Sequence, residues 1–513
     1  MKSWSVFVVV VLVIAVGIVV VSRQDRPVDY ADDVDHFKYG SIGSEPGVSP
    51  LSPVGGRLPP EWVFRVLPEV CPSMPSYAEL GLIYEKNTDG TLKALPIGIS
   101  QRRRLGSDML GINCALCHAG TVRTAPDAPP RVIPGMPPQQ VDVQRLFRHL
   151  FDCIQSSDFT AENVVRQIRA ARGPSGLLAS IRYRLLIPSI RAGVGELAKR
   201  IGVLVGDRIP ASGPGRLDTV NPAKAFEVGW DLNERLARDG LVELVGTMDF
   251  PPTWDLAKRD RLRLHWDGNI GTVDEAVLSA VLAVGAKPQT VDEERLRRVV
   301  RFMRELPPPR FPYADRIEGR LAREGSAVFA AHCADCHDFR GARVGQVTPI
   351  GLLGTDHYRL DAFSGELAAR LPTALNHAYA GSEYQFRTFR KTDGYANVPL
   401  DGIWARAPYL HNGSVPTLRD LLEPERCRPP RFYRGSDVYD PENVGFQSWV
   451  EAVPGCPPRL GGPSGPPPVT TADRPRLFLF DTSRPGNHNT GHLWGTELPP
   501  AEKAALLEFL KIL

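Results

Sequence analysis

Methionine is scarce in this chain of 513 residues, and its distribution excludes one kind of metal ligand from a large part of it. There are six methionines, and none follows Met303. A thioether ligand is therefore excluded for any metal that residues 304–513 hold by themselves.

The chain also lacks an excess of charge of either sign. It contains 61 Lys and Arg against 58 Asp and Glu, so the formal net charge is only +3. Domains that bind nucleic acid usually carry a clear basic surplus. The composition therefore suggests no nucleic-acid partner.

A cysteine pattern, by contrast, occurs twice. Residues 114–118 read Cys-Ala-Leu-Cys-His, and residues 333–337 read Cys-Ala-Asp-Cys-His. C-x-x-C-H is the attachment sequence for c-type haem, because the two thiols bond to the porphyrin and the next imidazole ligates the iron. A zinc site or a redox dithiol would not require the histidine after both pairs. The sequence predicts two covalently bound haems c, held by Cys114, Cys117, His118, Cys333, Cys336 and His337.

The first 25 residues predict where the protein is located. Lys2 precedes an unbroken apolar run over residues 6–21, which is intermediate in length between a signal-peptide core and a spanning helix. No cleavage site of the small-x-small type follows the run. We predict an uncleaved anchor in the inner membrane, with the body in the periplasm or otherwise outside the cytoplasm. A cleaved signal peptide is the alternative.

Four cysteines remain outside the haem motifs: Cys71, Cys153, Cys427 and Cys456. An even number in an oxidising compartment suggests disulfides, and four thiols allow three connectivities. Cys427 and Cys456 both lie beside prolines in one loop-rich region, so we predict that they pair. Buried free thiols are the alternative.

Composition divides the chain into four parts. Residues 1–25 are the anchor or signal peptide, and residues 26–60, rich in Gly, Pro and Ser, are predicted to be a flexible tether. Three prolines at 307–309 stop a predicted helix and mark a domain boundary. The first domain is therefore assigned to residues 61–312 and the second to residues 313–513.

The fold class follows from the elements predicted inside these domains. Proline-rich residues 120–140 predict a long irregular loop, and several helices follow between 141 and 200. In the second domain, one helix runs from about Ala314 into Cys333 and resembles the first helix of class I cytochromes c. Another, from about Pro499, would supply the last helix, which crosses the first in that family. The predicted fold is mainly α with long irregular loops, as two tandem cytochrome c-like domains with large insertions.

The sixth ligand of each iron decides the function. A six-coordinate haem mainly passes electrons, whereas a haem with an open face can react with peroxide or dioxygen. For the second haem the lack of methionine leaves histidine as the expected partner of His337. His492 is favoured and His411 is the alternative; the other downstream histidines are His357, His377 and His488.

For the first haem, the candidate sixth ligands are Met109, Met136, His149 and His265. His265 and Trp266 begin a polar stretch, His-Trp-Asp-Gly-Asn at 265–269, and are the candidate catalytic residues. His265 would be the acid-base group and Trp266 a relay between the haems. The alternative is a buried tryptophan with a satisfied indole N–H.

Three features together resemble a known family. They are the tandem C-x-x-C-H motifs, the stretch Ala-Pro-Tyr-Leu-His-Asn-Gly-Ser at 407–414, and Gly-His-x-x-Gly-Thr at 491–496. They resemble the di-haem cytochrome c peroxidase superfamily, most closely the branch that contains the bacterial rubber oxygenases. The resemblance implies that His118 is the only protein ligand of an open first iron, and that His337 and His492 hold the second.

The resemblance also implies a function. We expect a periplasmic, peroxidase-like oxidoreductase that receives electrons from a small soluble cytochrome c or cupredoxin, with calcium as a further cofactor in some relatives. Trp266 matches an aromatic position of the rubber oxygenases, but His265 stands where that branch would have another aromatic residue. A rubber-oxygenase-like dioxygenase is therefore the second alternative, after a di-haem electron-transfer protein without catalytic activity.

Overall fold

The computed structural model describes residues 26–45, 58–104, 107–380, 385–457, 459–461, 465, 467 and 473–513. The predicted anchor at residues 1–25 lies outside these ranges. Among the residues that are described, no helix is both long and apolar enough to cross a membrane.

Helices make up 40% of the structure. The described residues form seventeen of them: α1 Asp33–Tyr39, α2 Glu61–Val70, α3 Ala115–His118, α4 Val143–Gln155, α5 Ala161–Ala170, α6 Leu177–Val205, α7 Val220–Phe226, α8 Leu232–Asp239, α9 Val273–Ala283, α10 Glu293–Glu305, α11 Gly319–His332, α12 Ala334–His337, α13 Ile350–Leu353, α14 Tyr358–Ala362, α15 Gly365–Ala378, α16 Leu418–Leu421 and α17 Pro500–Leu510.

Strands add a further 12%, so the fold is mixed and the expectation of a mainly α protein needs correction. In the described chain the strands are β1 Arg26–Pro27, β2 Ile99–Arg104, β3 Ser107–Ile112, β4 Ala119–Val122, β5 Arg131–Pro134, β6 Arg216–Asp218, β7 Thr247–Asp249, β8 Val347–Pro349, β9 Gly394–Ala396, β10 Arg431–Arg434, β11 Tyr439–Asp440, β12 Gly445–Phe446 and β13 Phe478–Asp481. All pair antiparallel, in small sheets β1-β2-β3, β4-β5, β6-β7, β8-β9, β10-β13 and β11-β12. Segments this short carry too few residues for a period-2 pattern to show in the sequence.

Side-chain caps explain where many helices begin. In the described residues, eight helices start after an Asp, Ser or Thr whose side chain accepts a hydrogen bond from a backbone N–H of the first turn. These caps are Asp32, Asp142, Thr160, Asp231, Thr272, Asp292, Ser364 and Thr417.

The largest apolar core joins α1 to α6 with β2 and β3. Phe37 of α1, Leu67 of α2 and Leu146 of α4 are all fully buried in it. Residues 26–45, predicted to belong to a flexible tether, thus fold onto this core, and that part of the prediction is wrong. The physical reason is local: Phe37 and Ile42 are buried at 0% exposure, so this short segment carries enough apolar surface to be held.

A second core contains both end helices of the predicted second domain. Phe329 of α11 and Phe509 of α17 are in contact, with ring centroids 5.2 Å apart. The helices approach closely at Gly325, where an added Cβ would lie 1.9 Å from the carbonyl oxygen of Ala505. The crossing of first and last helices that the sequence predicted is therefore present. Val122, Met136 and other residues of the first half also contribute to this core.

The proline-rich stretch after the first haem motif is only partly irregular. Residues 120–140 contain no helix, as predicted, but β4 and β5 form a hairpin with Ala119 opposite Pro134. Pro126, Pro129 and Pro130 lie in its connection, where they need no ladder hydrogen bond.

Two disulfides bridge distant parts of the chain. Cys427 pairs with Cys456, which confirms the predicted pairing, and Cys71 pairs with Cys153. The four cysteines of the C-x-x-C-H motifs are not disulfide-bonded. All four thiols remain available for the thioethers that c-type haem requires.

Candidate haem sites

A cavity of about 330 Å³ adjoins the first C-x-x-C-H motif. Cys114, Cys117 and His118 line one side of it, and His265 and Trp266 also line it. Most of the remaining wall is apolar and comes from helices α7, α9 and α15 and the residues beside them. It includes Val220, Val277, Val281, Phe363, Leu367 and Leu371.

The imidazole of His118 is oriented by the backbone. Its Nδ1 lies 2.9 Å from the carbonyl oxygen of Pro251, so Nδ1 donates and Nε2 is left as the free nitrogen. Burial lowers the pKa of His118 to about 4, and the ring is therefore neutral at physiological pH. Neutral imidazole with its second nitrogen bonded to a carbonyl is the usual state of a metal-ligating histidine. Together with two unbonded thiols, His118 fits covalent haem c.

His265 and Trp266 are held on a tight turn that faces the same cavity. The Nδ1 of His265 lies 2.8 Å from Oδ1 of Asn269, and the indole N–H of Trp266 donates to the carbonyl oxygen of Asp249 at 2.7 Å. Burial lowers the pKa of His265, so this imidazole is also neutral. The indole N–H is satisfied, as the alternative interpretation of Trp266 required, yet the same residue lines the cavity.

The backbone of both candidate histidines is unusual. His265 has φ 61° and His492 has φ 51°, in the left-handed region that non-glycine residues seldom adopt. Such conformations cost on the order of 1–3 kcal/mol and cluster at functional sites. Five other non-glycine residues in the described chain also have a positive φ. A positive φ is therefore consistent with a functional role for His265 and His492 but does not by itself identify a functional site.

The other ligand candidates for the first iron lie elsewhere. Met136 is fully buried in the second apolar core, which is the ordinary role of a core methionine. Met109 is on β3 and His149 on α4, and neither lines the cavity. Of the four sequence candidates, His265 alone lines the cavity beside His118.

The second site has a different form, because a second histidine faces the first. The Nδ1 of His337 lies 2.7 Å from the carbonyl oxygen of Val398, which leaves its Nε2 free. The ring centroids of His337 and His492 are 6.1 Å apart. Metal–imidazole bonds are about 2 Å long and the centroid lies about 1 Å beyond the nitrogen, so rings that share one metal have centroids about 6 Å apart. The spacing fits iron between the two rings.

Glycine and backbone hydrogen bonding position His492. Its N–H donates to the carbonyl oxygen of Leu353 at 2.7 Å. The preceding Gly491 has φ 75°, and a Cβ there would lie 2.3 Å from backbone atoms of Leu353 and Gly354. Burial, with a smaller effect of His337, lowers the pKa of His492 to about 4. The imidazole is therefore neutral and suited to ligate a metal.

His411 is held away from this pair. Its ring stacks on Tyr395 with centroids 3.9 Å apart, and its Nε2 is buried without a hydrogen-bond partner. His488 and His357 each face an aspartate, Asp356 and Asp361 respectively. The structure thus brings His492 and not His411 beside His337.

One segment contacts both sites. Within residues 394–400, the N–H of Ala396 donates to the carbonyl oxygen of Trp266 at 2.8 Å, and the carbonyl of Val398 accepts from His337. Leu400 N–H donates back to the carbonyl of His337 at 3.2 Å. Trp266 and His337 are therefore joined by two hydrogen bonds and three consecutive residues of one strand and its extension.

Comparison with known proteins points to the same segment. Residues 394–433 match the protein family described as RoxA-like, cytochrome c-like. The chain resembles a RoxA-like cytochrome c. The match includes the residues that join the two sites and the stretch at 407–414 that was singled out from the sequence. It indicates a haem-containing oxidoreductase with haem c.

Two curated relatives come from Sinorhizobium fredii, and both are described as uncharacterized proteins. The protein y4iM is 29% identical over 262 residues, which is 48% of this chain and 56% of y4iM. The protein y4iJ is 29% identical over 270 residues, which is 40% of this chain and 41% of y4iJ. The chain thus spans about half the length of these relatives, and their names assign no activity.

The structure adds one cavity residue that the sequence did not suggest. Arg359 lines the cavity and is only 3% exposed. Its Nε and Nη1 have no hydrogen-bond partners. Its Nη2 lies 3.5 Å from Oδ1 of the buried Asp267. A single arginine in a five-residue helix carries no sequence signal, and only the fold brings it to the cavity. Free guanidinium donors there fit a carboxylate such as a haem propionate.

The described residues offer no support for calcium. No group of three or more His, Cys, Asp or Glu side chains in that part of the chain could hold a metal ion.

Replacing Arg359 by glutamine is expected to lower the reduction potential of the N-terminal haem. Loss of a buried cation favours the ferric state, because ferric haem carries one more positive charge than ferrous haem. A change of about 1 kcal/mol in the free energy of reduction corresponds to roughly 40 mV for one electron. Spectroelectrochemical titration of the purified protein measures the shift. Arg359→Lys keeps the charge and should stay near the wild-type potential; equal shifts in both variants would contradict an electrostatic role.

Proposed function

We propose that this chain is a periplasmic, membrane-anchored di-haem oxidoreductase of peroxidase-like type, built on two tandem cytochrome c-like domains. Cys114, Cys117 and His118 would hold an N-terminal haem, which would supply the chemistry with peroxide or dioxygen, and His337 and His492 would hold a C-terminal haem, which would supply the electron relay. The difference between the two sites carries this proposal. The second has a pair of facing imidazoles, whereas among the described residues the ring contact of His118 is with Phe250 and not with another histidine.

Side chains of this protein can accept and donate protons at the first site. Haem iron, when bound, supplies the redox chemistry. Because the amide oxygen of Asn269 can only accept, Nδ1 of His265 carries the proton and Nε2 is the free basic nitrogen. A neutral histidine on the cavity wall can take a proton from a bound substrate and return it. His265 is therefore proposed as the acid-base group.

Trp266 is proposed as the relay between the sites. It lines the first cavity and is hydrogen-bonded to Ala396, two residues before the carbonyl that holds His337. Electrons pass between redox centres faster along a path of covalent and hydrogen bonds than across an empty gap of the same length. A small soluble cytochrome c or cupredoxin is the proposed donor to the C-terminal haem.

Two other functions have a specific observation in their favour. The position of His265 in the cavity would suit a six-coordinate first iron and hence a di-haem electron-transfer protein without catalysis. The largely apolar cavity wall and the RoxA-like match would suit a dioxygenase that acts on an apolar substrate.

Electron paramagnetic resonance of the ferric protein, with and without hydrogen peroxide, separates these functions. The enzyme should show one high-spin signal that peroxide abolishes and one low-spin signal from the C-terminal haem. Two low-spin signals in the oxidised protein, with no reaction with peroxide in either the oxidised or the half-reduced protein, would support the electron carrier instead.

The variant His265→Ala tests the role of that histidine. In the enzyme, its spectrum keeps the high-spin signal but the reaction with peroxide slows by about 10²–10⁴-fold, the usual contribution of acid-base catalysis. A new high-spin signal that wild type lacks would identify His265 as an iron ligand. His149→Ala, at a histidine that does not line the cavity, should leave both properties unchanged.

A further inference from the structure

Helix α6 presents an apolar face to solvent. Leu177, Leu178 and Leu185 are 77%, 82% and 73% exposed, and Ile181 is 47% exposed. Positions 177, 181 and 185 follow one another at intervals of four residues, so they share one side of the helix. Tyr183 and Ile187 point into the core from the other side. Four large apolar side chains at one end of a helix exceed the scattered exposure that is normal for a soluble surface.

The stretch of chain that carries this face is strongly positive. Residues 161–195 contain six arginines, 166, 169, 172, 182, 184 and 191, and one acidic residue, Glu162, for a net charge of +5. Arg166, Arg169 and Arg172 are exposed on or just after α5, which packs against α6, and Arg184 is exposed on α6 itself. An apolar helix face with a basic rim is the pattern of helices that lie in a membrane interface.

The chain enters the described structure close to this face. Arg26 of β1 pairs with Arg103 of β2, and Gln101 of the same strand donates to Glu61 at the start of α2. Gly173, four residues before α6 begins, lies against the same helix α2, since a Cβ there would be 2.5 Å from the indole ring of Trp62. The first half of α6 is thus a neighbour of the hairpin that β1 extends.

The apolar run at residues 6–21 ends five residues before Arg26. Five residues span at most about 18 Å. A membrane entered by that run would therefore lie next to β1, and so next to α6.

We propose that the apolar face of Leu177, Leu178, Ile181 and Leu185 lies in the interface of an anionic phospholipid bilayer, with Arg184 and the exposed arginines on and after α5 on the lipid phosphates. The N-terminal run attaches the chain, and α6 orients the body on the surface. A second copy of the chain or a protein partner on this face would be insensitive to lipid charge. The proposal does not depend on the haem chemistry.

Depth-dependent fluorescence quenching tests this contact in the full, haem-loaded chain. All native cysteines are in haem motifs or disulfides, so Leu178→Cys can carry a single environment-sensitive label. In vesicles of phosphatidylglycerol and phosphatidylcholine, lipid-attached quenchers should place the label about 5–10 Å below the headgroup boundary. Ile512→Cys, at a C-terminal residue that is 53% exposed, is the matched control and should stay in water.

The role of the arginine charges in membrane binding is tested with a second variant and a second lipid composition. Arg184→Glu should weaken the quenching at position 178 about fivefold or more, as should vesicles of phosphatidylcholine alone. The proposal is overturned if the label at 178 is quenched no more than the label at 512. It is also overturned if the label is shielded from water equally with and without lipid, because a second copy or another part of the chain would then cover the face.

Discussion

Replacing His492 by methionine is expected to raise the reduction potential of the C-terminal haem by on the order of 100–300 mV, within the range of about 0.8 V that axial ligands cover. Thioether sulfur favours ferrous iron, whereas a second imidazole favours ferric iron. The expectation rests on the 6.1 Å between the ring centroids of His337 and His492. A redox titration followed in the visible spectrum, where the new sulfur–iron band also appears, measures the effect.

The matched control is His411→Met. This histidine is the alternative ligand from the sequence, but its ring is stacked on Tyr395, whereas the described ring contact of His337 is with His492. Its replacement should change the reduction potential of the C-terminal haem by no more than a few tens of millivolts, because only the local electrostatic field would change. The proposed ligand set is wrong if the His411 variant shifts the potential and the His492 variant does not.

The haem sites could be located from the sequence because the residues that attach each haem are adjacent in the chain. C-x-x-C-H places two thiols and an imidazole on one helical turn, so Cys114 and Cys333 could be assigned without a fold. The absence of methionine after Met303 likewise reduced the search for the second ligand to histidines. The choice of His492 over His411 agrees with the geometry at His337, although ligation itself is a proposal.

Other parts of the site depend on contacts between distant residues and have no local pattern. Arg359 reaches the first cavity from α14, and the carbonyl of Val398 holds His337 from 61 residues away along the chain. Backbone carbonyls carry no residue identity, so no sequence motif could have marked Pro251 or Val398. The tether prediction failed for a related reason. Phe37 and Ile42 are too few for a periodic pattern, yet the fold buries both.

Replacing Gly325 by alanine is expected to lower the free energy of unfolding of the C-terminal half by about 2–3 kcal/mol or more. Alanine suits a helix better than glycine by up to about 1 kcal/mol, so the sign of the net effect depends on packing. Packing decides it, because the new Cβ would lie 1.9 Å from the carbonyl oxygen of Ala505, a backbone atom that cannot rotate away. Helices α11 and α17 would have to separate along their whole crossing, and Phe329 would lose contact with Phe509.

Gly319→Ala is the control in the same helix, since its Cβ would meet only the flexible end of Arg323, at 3.7 Å. It should be neutral or stabilising by up to about 1 kcal/mol in urea unfolding. The C-terminal haem provides a second measurement, because α11 leads directly into Cys333 and its displacement would broaden or weaken the low-spin signal. If both variants were equally stable, the close crossing of these two helices would not hold the second haem domain together, and a cytochrome c-like arrangement of that domain would have to be abandoned.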